Sequence, residues 1–165
     1  MISRRGVLLG ALASGCAKRV APAEQFHTFL NDLPHETAGS IPYEPWTLEG
    51  KVVLVTFVAT WCFPCLTDLV VLQRLQRDYG ERGFANVIVG MDLEGRAVLD
   101  PFAAGYKLEC PLIVADDRLR NGETSFGRIR ELPSRVLFAR SGEIAAAYAG
   151  VTTWDALNAV VKQLL

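Results

Sequence analysis

Histidine and cysteine are scarce in this 165-residue chain, with two and four residues respectively. A structural zinc site needs four ligands, and Cys16, Cys110, His27 and His35 are scattered singly along the sequence. Long apolar runs are missing as well. None approaches the roughly 18 residues of an ordinary membrane-spanning helix. No basic block is present: 17 basic residues stand against 18 acidic ones, for a net charge of −1, which argues against a nucleic-acid partner. Repeats and low-complexity tracts are also absent. What remains is a chain that is 50% hydrophobic, long enough for one domain with a sizeable core.

Against that background one pentapeptide stands out, Trp61-Cys62-Phe63-Pro64-Cys65. An apolar, β-branched run, Val52 to Val58, leads into it, and a helix-like run from Leu66 to Tyr79 follows, ending at Gly80. The two cysteines therefore sit where a buried strand gives way to a helix. There Cys62 meets unpaired backbone N–H groups and the positive end of a helix dipole. Both favour a thiolate, and thiols in such places titrate at roughly 3.5–7.5 rather than about 8.5. The thiolate is the nucleophile of thiol–disulfide exchange. Two other readings of the pair stand beside redox chemistry. One is half of a zinc site, for which the remaining ligands are not in evidence. The other is an inert structural disulfide, which in so short a loop constrains the unfolded chain little.

The N-terminus reads as a targeting segment rather than part of the fold. Arg4-Arg5 is followed by the short apolar stretch Gly6 to Ala13 and then by Ala13-Ser14-Gly15-Cys16. Small residues before a cysteine resemble a bacterial lipobox, with Leu12 one place earlier than the preferred leucine. Residues 1–15 are then an export signal and Cys16 the lipidated first residue. Ser3-Arg4-Arg5-Gly6-Val7-Leu8-Leu9 also resembles a twin-arginine signal, so both export routes stay open. So does cleavage downstream of Cys16, near Ala21 or Ala23.

Further along, residues 16–40 read as a tether and N-terminal segment, with a short helix over Glu24 to Leu33 and loop from Pro34 to Pro45. After the cysteine helix, Asn86 to Met91 is a second buried strand. Asp100-Pro101 reads as a helix start, a capping carboxylate followed by proline in the first turn. Pro111 to Ala115 is a short strand, Thr124 to Arg128 a short helix, and Arg135 to Ala139 with Glu143 to Ala149 a hairpin around Arg140-Ser141-Gly142. Thr152 to Asp155 opens a last helix with Leu157, Val160, Val161 and Leu164 on its apolar face. The order β-α-β-α-β-α-β-β-α predicts an α/β fold: a central, mainly parallel sheet with an antiparallel C-terminal hairpin, flanked by helices. A Cys-x-x-Cys pair after the first strand of such a pattern reads as thioredoxin-like.

The stretch Gly50-Lys51-Val52-Val53-Leu54-Val55-Thr56-Phe57-Val58-Ala59-Thr60-Trp61-Cys62-Phe63-Pro64-Cys65, with Leu132-Pro133-Ser134 and Ser141-Gly142-Glu143-Ile144, resembles the TlpA/ResA-type family of exported thioredoxin-like proteins. The likeness covers residues 41–165, taken as the domain, with an α/β insertion around 92–115. It departs from the family at Val58, which replaces a tryptophan, and at Asp68, which replaces a glutamate. Thr56 falls where plain thioredoxins place a buried acidic residue, so that proton acceptor is missing. The resemblance implies that Pro133 is a cis-proline facing the cysteines. Leu132 then lies beside Cys62, where a client pairs as an added strand. Trp61, Phe63, Pro64 and Leu132 are the expected client-binding residues, with Phe63 turned to solvent and Trp61 split evenly between core and surface. Cys62, Cys65 and Pro133 are the expected catalytic set.

The implied activity is reduction of disulfides in client proteins, with Cys62 attacking and Cys65 resolving, electrons from a membrane donor, and no separable cofactor or metal. Cytochrome c or copper-site assembly supplies candidate clients. A monomer, held by a lipid anchor in the bacterial envelope and facing the periplasm, is the expected form. The alternative is a metallochaperone holding Cu(I) between the two thiolates. Cys110 is expected as a buried apolar group, or else as a regulatory thiol or a partner in an intermolecular disulfide, and Arg128, Arg130, Glu131 and Arg135 as a solvated face, or else as a charge cluster tuning Cys62 or selecting clients.

Overall fold

The computed structural model describes residues 22–165; the proposed export signal and Cys16 lie outside the described residues. The chain runs α1 (Pro22–Asn31), β1 (Thr37–Ala38), β2 (Val52–Val58), α2 (Phe63–Tyr79), β3 (Phe84–Gly90), α3 (Arg96–Tyr106), β4 (Leu112–Val114), α4 (Asp117–Asn121), β5 (Ser134–Phe138), β6 (Ile144–Ala149) and α5 (Trp154–Leu164). Single 3-10 turns cover Pro45–Leu48 and Gly80–Arg82.

The strands form one six-stranded sheet in the order β1-β4-β3-β2-β5-β6. Every residue of β2 is buried, because the strand is flanked on both edges and covered on both faces. Alternation divides its side chains between two cores. Val52, Leu54 and Val58 pack with Leu69 and Leu72 of α2, Leu99 of α3, and Leu157 and Val161 of α5. Val53, Val55 and Phe57 pack on the other side with Phe26 and Leu30 of α1 and Leu119 of α4. The result is a helix–sheet–helix sandwich, the thioredoxin-like α/β architecture.

Four details differ from the sequence-based expectation. The sheet is mixed rather than mainly parallel. Only β2–β3 and β3–β4 run parallel, since the hairpin joins antiparallel to β2 and the two-residue β1, read from sequence as loop, joins antiparallel to β4. Asp100-Pro101 does not begin α3. The helix starts at Arg96, and Pro101 sits inside it, while the Asp100 carboxylate accepts the Gly39 N–H at 2.8 Å. The short helix after β4 is Asp117–Asn121, not Thr124–Arg128. Asp116 Oδ1 caps it by accepting the Leu119 N–H at 2.9 Å, and Gly122, at φ 79°, ends it. Finally, a domain boundary at residue 40 does not follow the packing. Phe26, Leu30 and Leu33 are buried in the second core, Phe26 lies edge-on to Phe138, and Phe29 lies edge-on to Phe126.

The N-terminal helix also anchors the loop that follows α4. Asp32 accepts the Ser125 N–H at 2.7 Å and lies 3.7 Å from Arg118. The Ser125 hydroxyl bond, with the Ser125 N–H and the Arg118 charge, holds the Asp32 carboxyl below its ordinary range.

Two measurements test this arrangement. Leu30→Ala is expected to cost about 2–5 kcal/mol in denaturant unfolding, as for a core leucine; a cost under about 0.5 kcal/mol, the surface value, would make α1 a mere tether. A carboxylate with a depressed native pKa contributes stability above its unfolded value, about 3.9, and loses that contribution as pH falls through the native value. The Tm gap between the wild type and Asp32→Ala is therefore expected to be steady from pH 7 to 5 and to shrink below pH 4.

Candidate active site

The site begins at the carboxyl end of β2. Ala59 to Cys62 form a turn closed by the Cys62 N–H donating to the Ala59 carbonyl at 3.1 Å. Cys62 is the N-cap of α2, with extended backbone (φ −83°, ψ 95°), and its sulfur accepts the Cys65 N–H at 3.3 Å. Pro64 stands in the first turn, where an N–H has no helical partner to lose. Cys62 and Cys65 are joined as a disulfide with S–S 2.07 Å. Helix geometry separates them: Cys62 keeps 5% exposure at the helix end, whereas Cys65, one turn in, is at 0%. Trp61 and Phe63, on either side of Cys62, are 73% and 74% exposed. Trp61 is therefore a surface residue, not a core one.

Leu132-Pro133 is a cis peptide. Ile129, Arg130, Glu131 and Leu132 form one wall of a cavity of about 490 Å³, and Trp61, Cys62, Phe63, Pro64 and Met91 form the other. The folded chain thus brings Leu132 to Trp61, Cys62, Phe63 and Pro64, some seventy positions away in sequence, around one groove.

Asp92, which sequence reasoning passed over, and the pair Asp68 and Arg135, named there without their contact, support this site. Asp92, just beyond β3, is buried, and both its carboxylate oxygens accept the Thr60 N–H at 3.1 Å. Oδ1 also takes the Thr60 hydroxyl at 2.6 Å. Arg120 of α4 donates to the Asp92 carbonyl at 2.7 Å. Asp92 therefore clamps the turn that carries Trp61 and Cys62. A signal for it exists: it follows a buried parallel strand directly, and functional groups gather at the carboxyl ends of such strands.

The second group is Asp68 with Arg135. Both are buried, and Arg135 Nη2 donates to Asp68 Oδ2. Arg135 is thus a core residue and not part of a solvated face; of that predicted cluster, Arg130 and Glu131 line the groove. Burial lowers the Arg135 pKa to about 10, which still leaves it charged at neutral pH.

Cys110 is free and buried, and burial pushes its thiol up to about 12, so it is an unreactive core group. His27 lies 4.0 Å from Glu49 at the surface, and His35 lies against Tyr43. Among the described residues no cluster of three or more His, Cys, Asp or Glu comes together in a metal-binding arrangement.

The redoxin family profile matches residues 24–164. The chain belongs to the redoxin family. It is 34% identical over 119 residues to the thiol-disulfide oxidoreductase ResA of Oceanobacillus iheyensis, covering 71% of this chain and 59% of that protein. It is 31% identical over 106 residues to ResA of Halalkalibacterium halodurans, covering 64% of this chain and 58% of that one. These relatives place it with the TlpA/ResA-type members, although it spans less than two thirds of the length of either. Among solved structures, a thioredoxin-family thiol:disulfide interchange protein from Chlorobium tepidum superposes with TM-score 0.65 at 23% identity, covering 79% of this chain and 97% of that one. An exposed lipoprotein thioredoxin from Streptococcus pneumoniae gives 0.63 at 21%, covering 78% and 98%. Both likenesses support the thioredoxin-like fold.

The Asp92 clamp has a graded test. Thr60→Val removes one neutral donor and is expected to cost about 1 kcal/mol in denaturant unfolding, whereas Asp92→Ala strips the turn of its charged acceptor and is expected to cost about 1.5–3 kcal/mol. Equal and negligible costs for both would show that the turn holds itself.

Proposed function

We propose that this protein is an exported thiol–disulfide oxidoreductase that reduces disulfides in client proteins through Cys62 and Cys65. The observation that carries this reading is the placement of Cys62: a helix N-cap whose sulfur accepts a backbone N–H, opening on a groove, with Cys65 sealed behind it. Backbone N–H donation and the positive helix end stabilise negative charge on that sulfur.

In the reduced protein the Cys62 thiolate attacks one sulfur of a client disulfide. The client S–S bond breaks, a Cys62–client mixed disulfide forms, and the departing client thiolate takes a proton. Cys65 then loses its proton and attacks the Cys62 sulfur. The bond from Cys62 to the client breaks, the second client thiol is released, and the Cys62–Cys65 disulfide forms. Two electrons have passed to the client. A thiol donor at the membrane restores the pair by the same exchange in reverse. Trp61, Phe63, Pro64 and Leu132 contact the client segment, with Leu132 next to Pro133 offering backbone for strand-like pairing.

A lipid anchor at Cys16 fits the exported reading, as do the lipobox-like residues before it. Clients in cytochrome c or copper-site assembly suit the same chemistry. The Cu(I)-chaperone alternative needs two thiolates held together without turnover, and the placement of Cys62 on the groove with Cys65 sealed behind it suits sequential attack better.

The test is a trap. Cys65→Ser is expected to accumulate covalent mixed disulfides with client proteins in cell-envelope extracts, and Cys62→Ser to accumulate none. Trapping by Cys62→Ser instead reverses the roles, and trapping by neither variant removes the exchange reading. Bound Cu(I) surviving desalting, with no insulin reduction, favours the chaperone.

A further inference from the structure

The two walls of the groove at Cys62 are built differently. Met91 directly follows β3 and Phe63 and Pro64 begin α2, so that wall inherits the register of the sheet and its helix. Ile129 to Leu132 have no such support. They belong to the irregular stretch between α4 and β5, and among the described residues Arg128 to Leu132 make no backbone–backbone hydrogen bond. Ile129 and Leu132 rest partly buried against the second core. Chain of this kind stands where its side chains and its two ends are held.

The end nearer β5 is fixed locally. The Ser134 hydroxyl donates to the Glu131 carbonyl at 2.6 Å, and the Gly150 N–H donates to the Pro133 carbonyl at 2.8 Å. The other end is fixed from α1. Asp32, the residue after that helix, accepts both the N–H and the hydroxyl of Ser125 on Oδ2. The Asp32 N–H donates to the Thr28 carbonyl at 3.1 Å, so the carboxylate is carried on the helix end rather than on free loop. Phe126 follows, its ring centroid 4.9 Å from that of Phe29 and 5.1 Å from that of Phe57. From Ser125 to Ile129 is four residues, no more than about 14 Å of chain. Aromatic burial holds Phe126 near the core but is weakly directional. Two charge-assisted bonds to one carboxylate oxygen fix the direction of the backbone at Ser125. Arg118, 3.7 Å from Asp32 and exposed, adds little to them.

We infer that Asp32 is a positioning residue for client binding: through Ser125 it sets where Ile129 to Leu132 stand across the groove from Cys62. The N-terminal helix then shapes the client site without touching a client. This rests on the exchange reading proposed above. A client that pairs with the Leu132 backbone needs that wall at one distance from Cys62, and a misplacement of about 1 Å costs up to ~10²-fold in rate. A small disulfide that needs only the Cys62 sulfur makes no such demand.

The reduced protein, freed of reductant, is mixed separately with insulin and with dithionitrobenzoate, and the second-order rate of thiol loss is read for each. Asp32→Ala is expected to slow the insulin reaction at least ~5-fold and to leave the dithionitrobenzoate reaction within ~2-fold of the wild type, since a misplaced wall penalises a docked client and not a small disulfide. A smaller loss with insulin, or an equal loss with both, overturns the inference. Asp32→Asn keeps an acceptor for Ser125 and is expected to hold the insulin rate within ~2-fold of the wild type; a larger loss shows that the hydrogen bonds are not the link and overturns the inference as well. An unfolded chain exposes all its thiols, so a faster dithionitrobenzoate reaction marks Asp32→Ala as misfolded. Ser125→Ala then decides. It removes one exposed hydroxyl, leaves the backbone bond in place and is expected to give the same insulin-selective loss at ~2-fold or more; a smaller loss overturns the inference. A wild type that reacts with neither disulfide defeats the exchange reading itself. One that reacts with dithionitrobenzoate alone leaves the wall without a protein client and overturns this inference.

Discussion

The contact between the Cys65 N–H and the Cys62 sulfur can form only if a strand stops and a helix starts within the same few residues. Most of the fold is arranged to make that happen at one fixed point. β2 is buried on both faces and paired on both edges, so it has no freedom to slide. A one-residue shift in its register would turn Phe57 toward α2 and Leu54 toward α1, exchanging the two cores. The turn after it is closed by its own backbone and clamped from β3 by Asp92. Once those are set, the helix period does the rest. The cysteines are three positions apart, which carries the second one helical turn inward, from 5% exposure at the helix end to none.

The Asp68–Arg135 pair is hard to explain by stability. Two charges removed from water cost several kcal/mol each, and their mutual attraction rarely returns more than that. An apolar pair between the sheet and α2 would serve folding as well or better. Arg135 Nε and the Thr56 hydroxyl are both left unpartnered nearby, so this layer is not optimised even as a polar network.

How much of this was legible in the sequence depended on whether local pattern and tertiary context agreed. β2 was readable to the residue because a continuous β-branched run is what a doubly covered strand requires. The cysteine motif and the terminal helix, capped by Thr153 accepting from the Ala156 N–H, were equally plain. Asp100-Pro101 misled because its local chemistry is that of a helix start. The carboxylate is instead committed to Gly39, some sixty residues away, a contact with no local trace. β1 and α4 are too short for periodicity to register, at two and five residues. The burial of Arg135 was invisible for a different reason. Charge predicts exposure unless the partner is known, and its partner lies on another element.

Under the proposed function, the exposed aromatics make a surface that is firm where it carries chemistry and undemanding where it would meet a client. Trp61 and Phe63 leave large apolar areas in water, at a cost that scales with their surface. Neither hangs on a loose loop. Trp61 belongs to the turn held by Asp92, and Phe63 is the first residue of α2. Rigid aromatic anchors lose little entropy on contact, so they lend affinity to many apolar segments without selecting one. Arg130 and Glu131 on the facing wall carry opposite charges and add no net preference for acidic or basic clients. Under the proposed function, selectivity would then come from the geometry of the reacting sulfurs. Cys62 is only 5% exposed, so a client would have to bring its disulfide into the groove to reach it.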